Sequence, residues 1–145
     1  ACIAADIIVG FPGETPELFD QAMAFVRQLD ISYLHVFPFS VREGTPAEKM
    51  ADQVEPAERQ HRSRMMQALS EEKKKQFYLS NQGATAKVLW EHKAENEKIY
   101  GFTENYIRVV SDYETGKTGR IDTVILNKPG SDGVYSIKKD TTFIK

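Results

Sequence analysis

The chain has 145 residues, 41% of them hydrophobic and 28% charged, with a formal net charge of −2. That is room for one ordinary domain or two very small ones, in a composition that folds rather than stays disordered. No apolar run reaches the length that spans a bilayer, and a lone cysteine, Cys2, excludes an internal disulfide framework or a multi-cysteine metal site. An intracellular chain is the expectation. The charge is uneven: residues 1–55 hold three Lys/Arg against nine Asp/Glu, residues 56–83 six against three, and residues 84–145 ten against nine. Such a break predicts different tasks for the two ends.

The first segment, "CIAADIIVGF", is almost wholly apolar and reads as a strand covered on both faces, the habit of parallel sheets. Thr15 or Glu14 is placed to cap the next helix, and Pro16 suits its first turn. Leu18, Phe19, Ala22, Met23, Phe25, Val26 and Leu29 recur at helical spacing up to Asp30. "SYLHVFPFS" (32–40) is a second buried strand, so residues 1–40 predict a β-α-β unit with a right-handed crossover. Two strands and one helix leave strand edges uncovered, which predicts partner strands upstream in a longer polypeptide, or self-association through those edges.

After a loop at 41–50, Pro56 opens a long helix that Gly83 can end. Met65, Met66, Leu69 and Phe77 form a stripe too narrow for a buried helix, so the segment reads as a surface connector. From Ala84 the texture changes. "TAKVLWEH", "KIYGF", "NYIRVVS", "RIDTVILN" and "GVYSIKK" are short strands between turn signals at 95–97, 115–117 and 129–133, the pattern of a small antiparallel OB-like barrel. The fold class is therefore α/β followed by all-β.

"DIIVGFPGET", "YLHVFPFSVREGTPAEKM", the basic "SEEKKKQFYLSNQG" and "GFTENYIRV", in this order, resemble the radical S-adenosylmethionine methylthiotransferases over essentially the whole chain. The resemblance implies that 1–55 is the C-terminal portion of a radical S-adenosylmethionine partial TIM-type barrel, 56–83 a basic linker helix, and 84–145 a TRAM-like RNA-binding β-barrel. Family members act on isopentenyladenosine or threonylcarbamoyladenosine in tRNA, or on an aspartate of a ribosomal protein. "YLHVFPFSVREGTPA" and "FTENYIRV" are most similar to the threonylcarbamoyladenosine branch, which methylthiolates the purine beside the anticodon. S-adenosylmethionine and two [4Fe-4S] clusters are the implied cofactors, the tRNA anticodon arm the implied partner, and the cytoplasm the implied location. The family's cluster cysteines are not in this sequence, so this stretch alone is expected to bind no cluster and to be inactive. A free-standing RNA-binding module is the alternative reading.

Ile8, Val9, Gly10 and Phe11 end a barrel strand on the side where such barrels place their sites, and the resemblance implies contact with the cofactor's adenine. For Gly10, a tight turn is the other explanation. Asp6, an acid in an apolar strand, reads as a buried carboxylate serving a site. Arg42 follows the second strand and suits a cofactor carboxylate, an RNA phosphate or a surface ion pair. His35 reads as a core histidine, and Glu14 as an acid complementing the helix dipole. No residue of the chain is assigned to catalysis or to a metal.

For RNA, Tyr106 and Arg108 are expected to point outward from one strand while Ile107 and Val109 point in; an exposed aromatic beside an arginine stacks bases and holds phosphates. Phe102 and Asn105 extend that platform. Lys73 and Lys74, with Lys75, Arg59, Arg62 and Arg64, are the candidates for phosphate contacts along the helix, solvation being the other explanation. Trp90 is expected in the core.

Overall fold

The computed structural model describes residues 1–130 and 133–139, with the backbone alone at 92–95, 138 and 139. The chain divides into two compact units, Ile3–Lys74 and Lys75–Lys145 with Ala1–Cys2.

In the first unit β1 (Ala4–Val9) and β2 (Tyr33–Pro38) pair in parallel, with Asp6 opposite His35 and Ile8 opposite Phe37. Helix α1 (Pro16–Gln28) connects them. Its start follows the expected logic: Pro16 sits in the first turn and the Thr15 hydroxyl accepts the Leu18 N–H at 3.3 Å. Phe19 and Val26 of α1 join Val9, Leu34, Met66 and Leu69 in one core. All of this packing lies on the sheet face that carries Ile7, Val9, Leu34 and Val36. The opposite face is open, with Ile8 59% and Phe37 53% exposed. β1 is thus covered on one face among the described residues, not on two, because both helices of the unit lie on the same side. Asp6 and His35 share the open face and are exposed, so neither is the buried group that the apolar surroundings predicted. The His35 ring meets Tyr33 edge-on at 5.2 Å.

Helix α2 (Pro56–Ser80), expected as a surface connector, packs Met66 and Leu69 into the core of the first unit. Up to Lys74 it is fastened to the first unit by a polar stripe that a search for apolar periodicity overlooks. Arg62, Ser63, Met66, Leu69, Ser70 and Lys73 are all buried, and they fall at helical spacing. The Arg62 guanidinium donates to the Glu14 carboxylate and to the Glu14 carbonyl, both at 2.7 Å, and to Glu58 at 2.8 Å. Burial alone would push its pKa down, but the two carboxylates more than offset this and hold it above the ordinary arginine value. The Ser70 hydroxyl accepts the Leu34 N–H at 2.8 Å and donates to the Leu34 carbonyl at 2.9 Å, standing in for a neighbouring strand. Lys73 donates to the carbonyls of Arg27 at 3.2 Å and Leu29 at 2.7 Å, a cation on the C-terminal end of α1.

The second unit is a closed barrel in the order β3-β4-β5-β7-β6, formed by β3 (Thr85–Glu95), β4 (Lys98–Thr103), β5 (Arg108–Asp112), β6 (Ile121–Pro129) and β7 (Tyr135–Lys139). Five strands were expected; the pairing is mixed, since β5 and β7 run parallel where an antiparallel barrel was predicted. Val88, Trp90, Ile99, Ile107, Val109, Val124, Leu126 and Tyr135 fill the interior, and Tyr78 from the last turns of α2 packs with them. Trp90 is 1% exposed and its indole N–H donates to Asp122 at 2.8 Å, so a buried donor is satisfied. The Tyr135 hydroxyl donates to the Tyr78 carbonyl, and burial raises its pKa above the usual phenol value. Gly101 is required by closeness: a Cβ there would lie 2.6 Å from the Leu89 carbonyl oxygen.

If polar anchors hold α2 to the first unit, Arg62→Ala will lower stability by about 3 kcal/mol, because it strands the Glu14 carboxylate. Ser70→Ala will cost about 1–2 kcal/mol. Urea unfolding followed by circular dichroism checks both against Arg64→Ala, an exposed neighbour on the same helix. Losses no larger than that control's would refute the anchoring.

Candidate nucleic-acid interface

Hydrogen-bond closure of the barrel forces side chains to alternate between interior and surface. On β5 and just before it, Ile107 and Val109 are fully buried, which leaves Arg108 outside as expected. Tyr106 is placed differently from the expectation. It lies in the β4–β5 turn rather than on the strand, with φ 61 and 70% exposure. A left-handed backbone is uncommon for a bulky residue and marks a conformation that its surroundings impose.

Those surroundings are a chain of side-chain hydrogen bonds. Asn105 donates to Asn81 at 3.0 Å and accepts from the Thr103 hydroxyl at 2.6 Å. Thr103 in turn accepts the Ile107 N–H at 2.9 Å, and Asn81 donates to the Phe77 carbonyl at 2.7 Å. The Tyr78 hydroxyl accepts the Arg108 N–H at 3.2 Å. Both ends of the Asn105 amide are engaged inside the protein, so its part is to set the turn rather than to widen the platform.

The turn brings three of the expected residues together. The Tyr106 and Phe102 rings lie 6.5 Å apart at 54°, and Phe102 is opposite Arg108 in the β4–β5 register. The Arg108 guanidinium lies over the Tyr100 ring at 4.8 Å. Among the described residues no carboxylate neutralises Arg108. Tyr100 and Tyr78 belong to this arrangement and were missed in the sequence reading. The alternation of β4 pointed to Tyr100, whereas Tyr78 reaches the turn only through tertiary structure. The cluster presents aromatic faces beside a cation that no carboxylate among the described residues neutralises, which suits a base and its phosphate.

Three of the helix cations are engaged inside the first unit. Lys73 is 7% exposed and caps α1, while Arg62 is buried against Glu14. Arg59 donates to the Val54 carbonyl at 2.7 Å and stacks over Phe39 at 5.4 Å. These three hold the fold because their long side chains supply donors that would otherwise have to come from water. Lys74 is exposed and engaged within the protein.

At the end of β1, Val9 and Gly10 are buried, while Ile8 and Phe11 are exposed. Gly10 has φ +77, and a Cβ on it would lie 2.6 Å from Arg59 Cγ, so turn geometry and close packing account for this glycine. Its N–H donates to Glu14 at 2.9 Å. Glu14 is thus the hub between the turn and Arg62, more than a dipole acid. Arg42 is exposed in the loop after β2, and its carbonyl accepts the Thr45 hydroxyl at 2.7 Å. Ile8 and Phe37, register partners, leave an exposed apolar surface on the open face of the sheet. No group of three metal-ligating side chains exists among the described residues, so a cluster's thiolate set does not fit this chain.

No protein-family model matches the chain. It is 36% identical over 132 residues to the threonylcarbamoyladenosine tRNA methylthiotransferase MtaB of Bacillus subtilis (strain 168), covering 88% of this chain and 29% of that protein. With MtaB of Thermotoga maritima the identity is 29% over 138 residues, or 95% of this chain and 31% of that protein. With the tRNA-2-methylthio-N(6)-dimethylallyladenosine synthase of Methylobacillus flagellatus it is 37% over 106 residues, 72% of this chain and 24% of that protein. The chain spans under a third of the length of these curated relatives.

Tyr106 pays no packing role that its exposure would reward, so Tyr106→Gly will leave urea stability within about 1 kcal/mol of the parent, relief of the left-handed backbone offsetting glycine's flexibility. Gly101→Ala, which forces a side chain against backbone, will lose about 1–3 kcal/mol. A large loss at Tyr106→Gly would make this residue structural.

Proposed function

This chain belongs to the tRNA methylthiotransferase family, and from that premise we propose that it is part of an enzyme that methylthiolates threonylcarbamoyladenosine next to the anticodon, with residues 84–145 acting as a TRAM-like module that grips the tRNA. The observation that carries the RNA-binding half is the exposed Phe102–Tyr106 ring pair beside Arg108, set on a turn whose backbone is fastened from beneath. Tyr106 and Phe102 stack an unpaired base, Arg108 meets the adjoining phosphate, and Asn105 keeps the turn in shape.

In the first unit, Ile8, Phe11 and the neighbouring Phe37 would form the apolar side of an S-adenosylmethionine site, with Val9 and Gly10 shaping the strand end behind them. Asp6 and Arg42, both exposed, are the polar groups that would meet the cofactor. Bound S-adenosylmethionine supplies the radical chemistry of this family. The residues described here orient and shield it, and the cluster ligands would come from sequence outside this chain. The comparable identity to dimethylallyladenosine-modifying synthases favours a second reading in which the modified base carries that group instead.

Two measurements test the proposal. Fluorescence anisotropy with a 17-nucleotide anticodon stem-loop will show weak binding that falls as salt rises, with Tyr106→Ala and Arg108→Ala each weakening it about five- to tenfold. Absence of binding by the parent chain at low ionic strength would reject the barrel's assigned part. Mass spectrometry of tRNA from cells lacking the gene will show methylthio-threonylcarbamoyladenosine lost; its persistence, with loss of the dimethylallyl counterpart, would transfer the assignment to the second reading.

A further inference from the structure

The outward side chains next to the Phe102–Tyr106 pair continue it across the barrel. Strand register sets Arg108 opposite Phe102, Phe102 opposite Leu89, and Leu89 opposite Ile121. Leu89 is 54% exposed and Ile121 65%. Neither can turn inward, because the interior beside them is filled by Val88, Trp90 and Val124. Three strand spacings of about 4.8 Å make this row roughly 15 Å long, one residue wide.

We propose that this row is a single track for unpaired RNA, in which Leu89 and Ile121 seat the nucleotides that follow the one stacked at Phe102 and Tyr106. The inference rests on the RNA-binding reading above and adds its extent and direction, from β5 across β4 and β3 to β6. The shape argues for a nucleic-acid strand over a protein. A stable dimer needs about 800 Å² buried on each partner, well beyond what a strip of four side chains supplies. A base, in contrast, can lay its face on one aliphatic side chain at a time and gain from the apolar area covered there. The charges on the same face agree. Arg108 stands at one end and Lys87, exposed two positions from Leu89 on β3, stands beside the middle. Glu91 and Glu104 lie on the same strand or the adjoining turn and limit general attraction of phosphate, so the track works by stacking more than by charge.

The test uses the whole chain and a fluorescein-labelled ten-nucleotide single-stranded RNA. Leu89→Ser with Ile121→Ser is expected to weaken binding about five- to tenfold while leaving the slope of log K against log salt unchanged, whereas Lys87→Ala lowers that slope. Ile121→Tyr, which enlarges the stacking face without touching the core, is expected to tighten binding and so keeps the proposal testable if the serine variant folds poorly. Unchanged binding in the serine and tyrosine variants, with Tyr106→Ala still harmful, overturns the track and leaves the RNA reading standing. No binding by the parent chain overturns both. Self-association in sedimentation that the serine variant abolishes, with RNA affinity intact, would make the strip a contact between copies and overturn the proposal.

Discussion

One buried guanidinium ties the first unit together. Arg62 joins two segments that are distant in sequence: the turn between β1 and α1, through the Glu14 carboxylate and carbonyl, and α2 itself, where it also holds Glu58. A buried cation is costly unless its donors are matched, and here two carboxylates and a carbonyl match them. The same carboxylate of Glu14 takes the Gly10 N–H. The conformation of the strand end, where Ile8 and Phe11 stand exposed, therefore depends on Arg62, 48 positions beyond Glu14 and on another element.

Arg59 acts one turn earlier on α2 and by different means. Its stem packs where a Gly10 side chain would otherwise be, its head group donates to the carbonyl of Val54, and its plane covers Phe39. Phe39 meets Phe11 edge-on at 5.1 Å. Glycine, arginine and two aromatic rings thus form one packed set, and each residue type follows from its neighbour. The open face of β1 and β2 has a different cause: with both helices gathered on one side, Asp6, Ile8, His35 and Phe37 are left on the other.

The barrel solves a separate problem, which is how to hold an exposed aromatic in a fixed pose. Packing cannot do it, because a ring that packs is no longer available to a ligand. Backbone and amide hydrogen bonds below the turn do it instead, through Asn105, Thr103, Asn81 and the Tyr78 hydroxyl. Preorganisation of this kind reduces the entropy lost when a ligand arrives.

Much of this was legible from residue order. Apolar periodicity and capping chemistry located β1, α1 and β2, and Thr15 and Pro16 open the helix as read. Alternation placed Ile107, Val109 and Trp90 inside the barrel, and turn residues separated its five strands. Local rules succeed there because the causes are local: a cap, a rotamer, a period of two or of 3.6. They failed where a polar side chain satisfied a distant partner. Arg62 and Lys73 look like phosphate-binding cations in sequence, yet each is buried against groups more than forty residues away. Tyr106 looks like a strand residue until Asn105 and Tyr78 impose the turn. Residue order by itself determined which segments are strands and helices and which side chains alternate inward. Which polar groups are used up inside the fold, and which are left to meet a ligand, was decided only by tertiary structure, because a hydrogen bond is made in space and not along the chain.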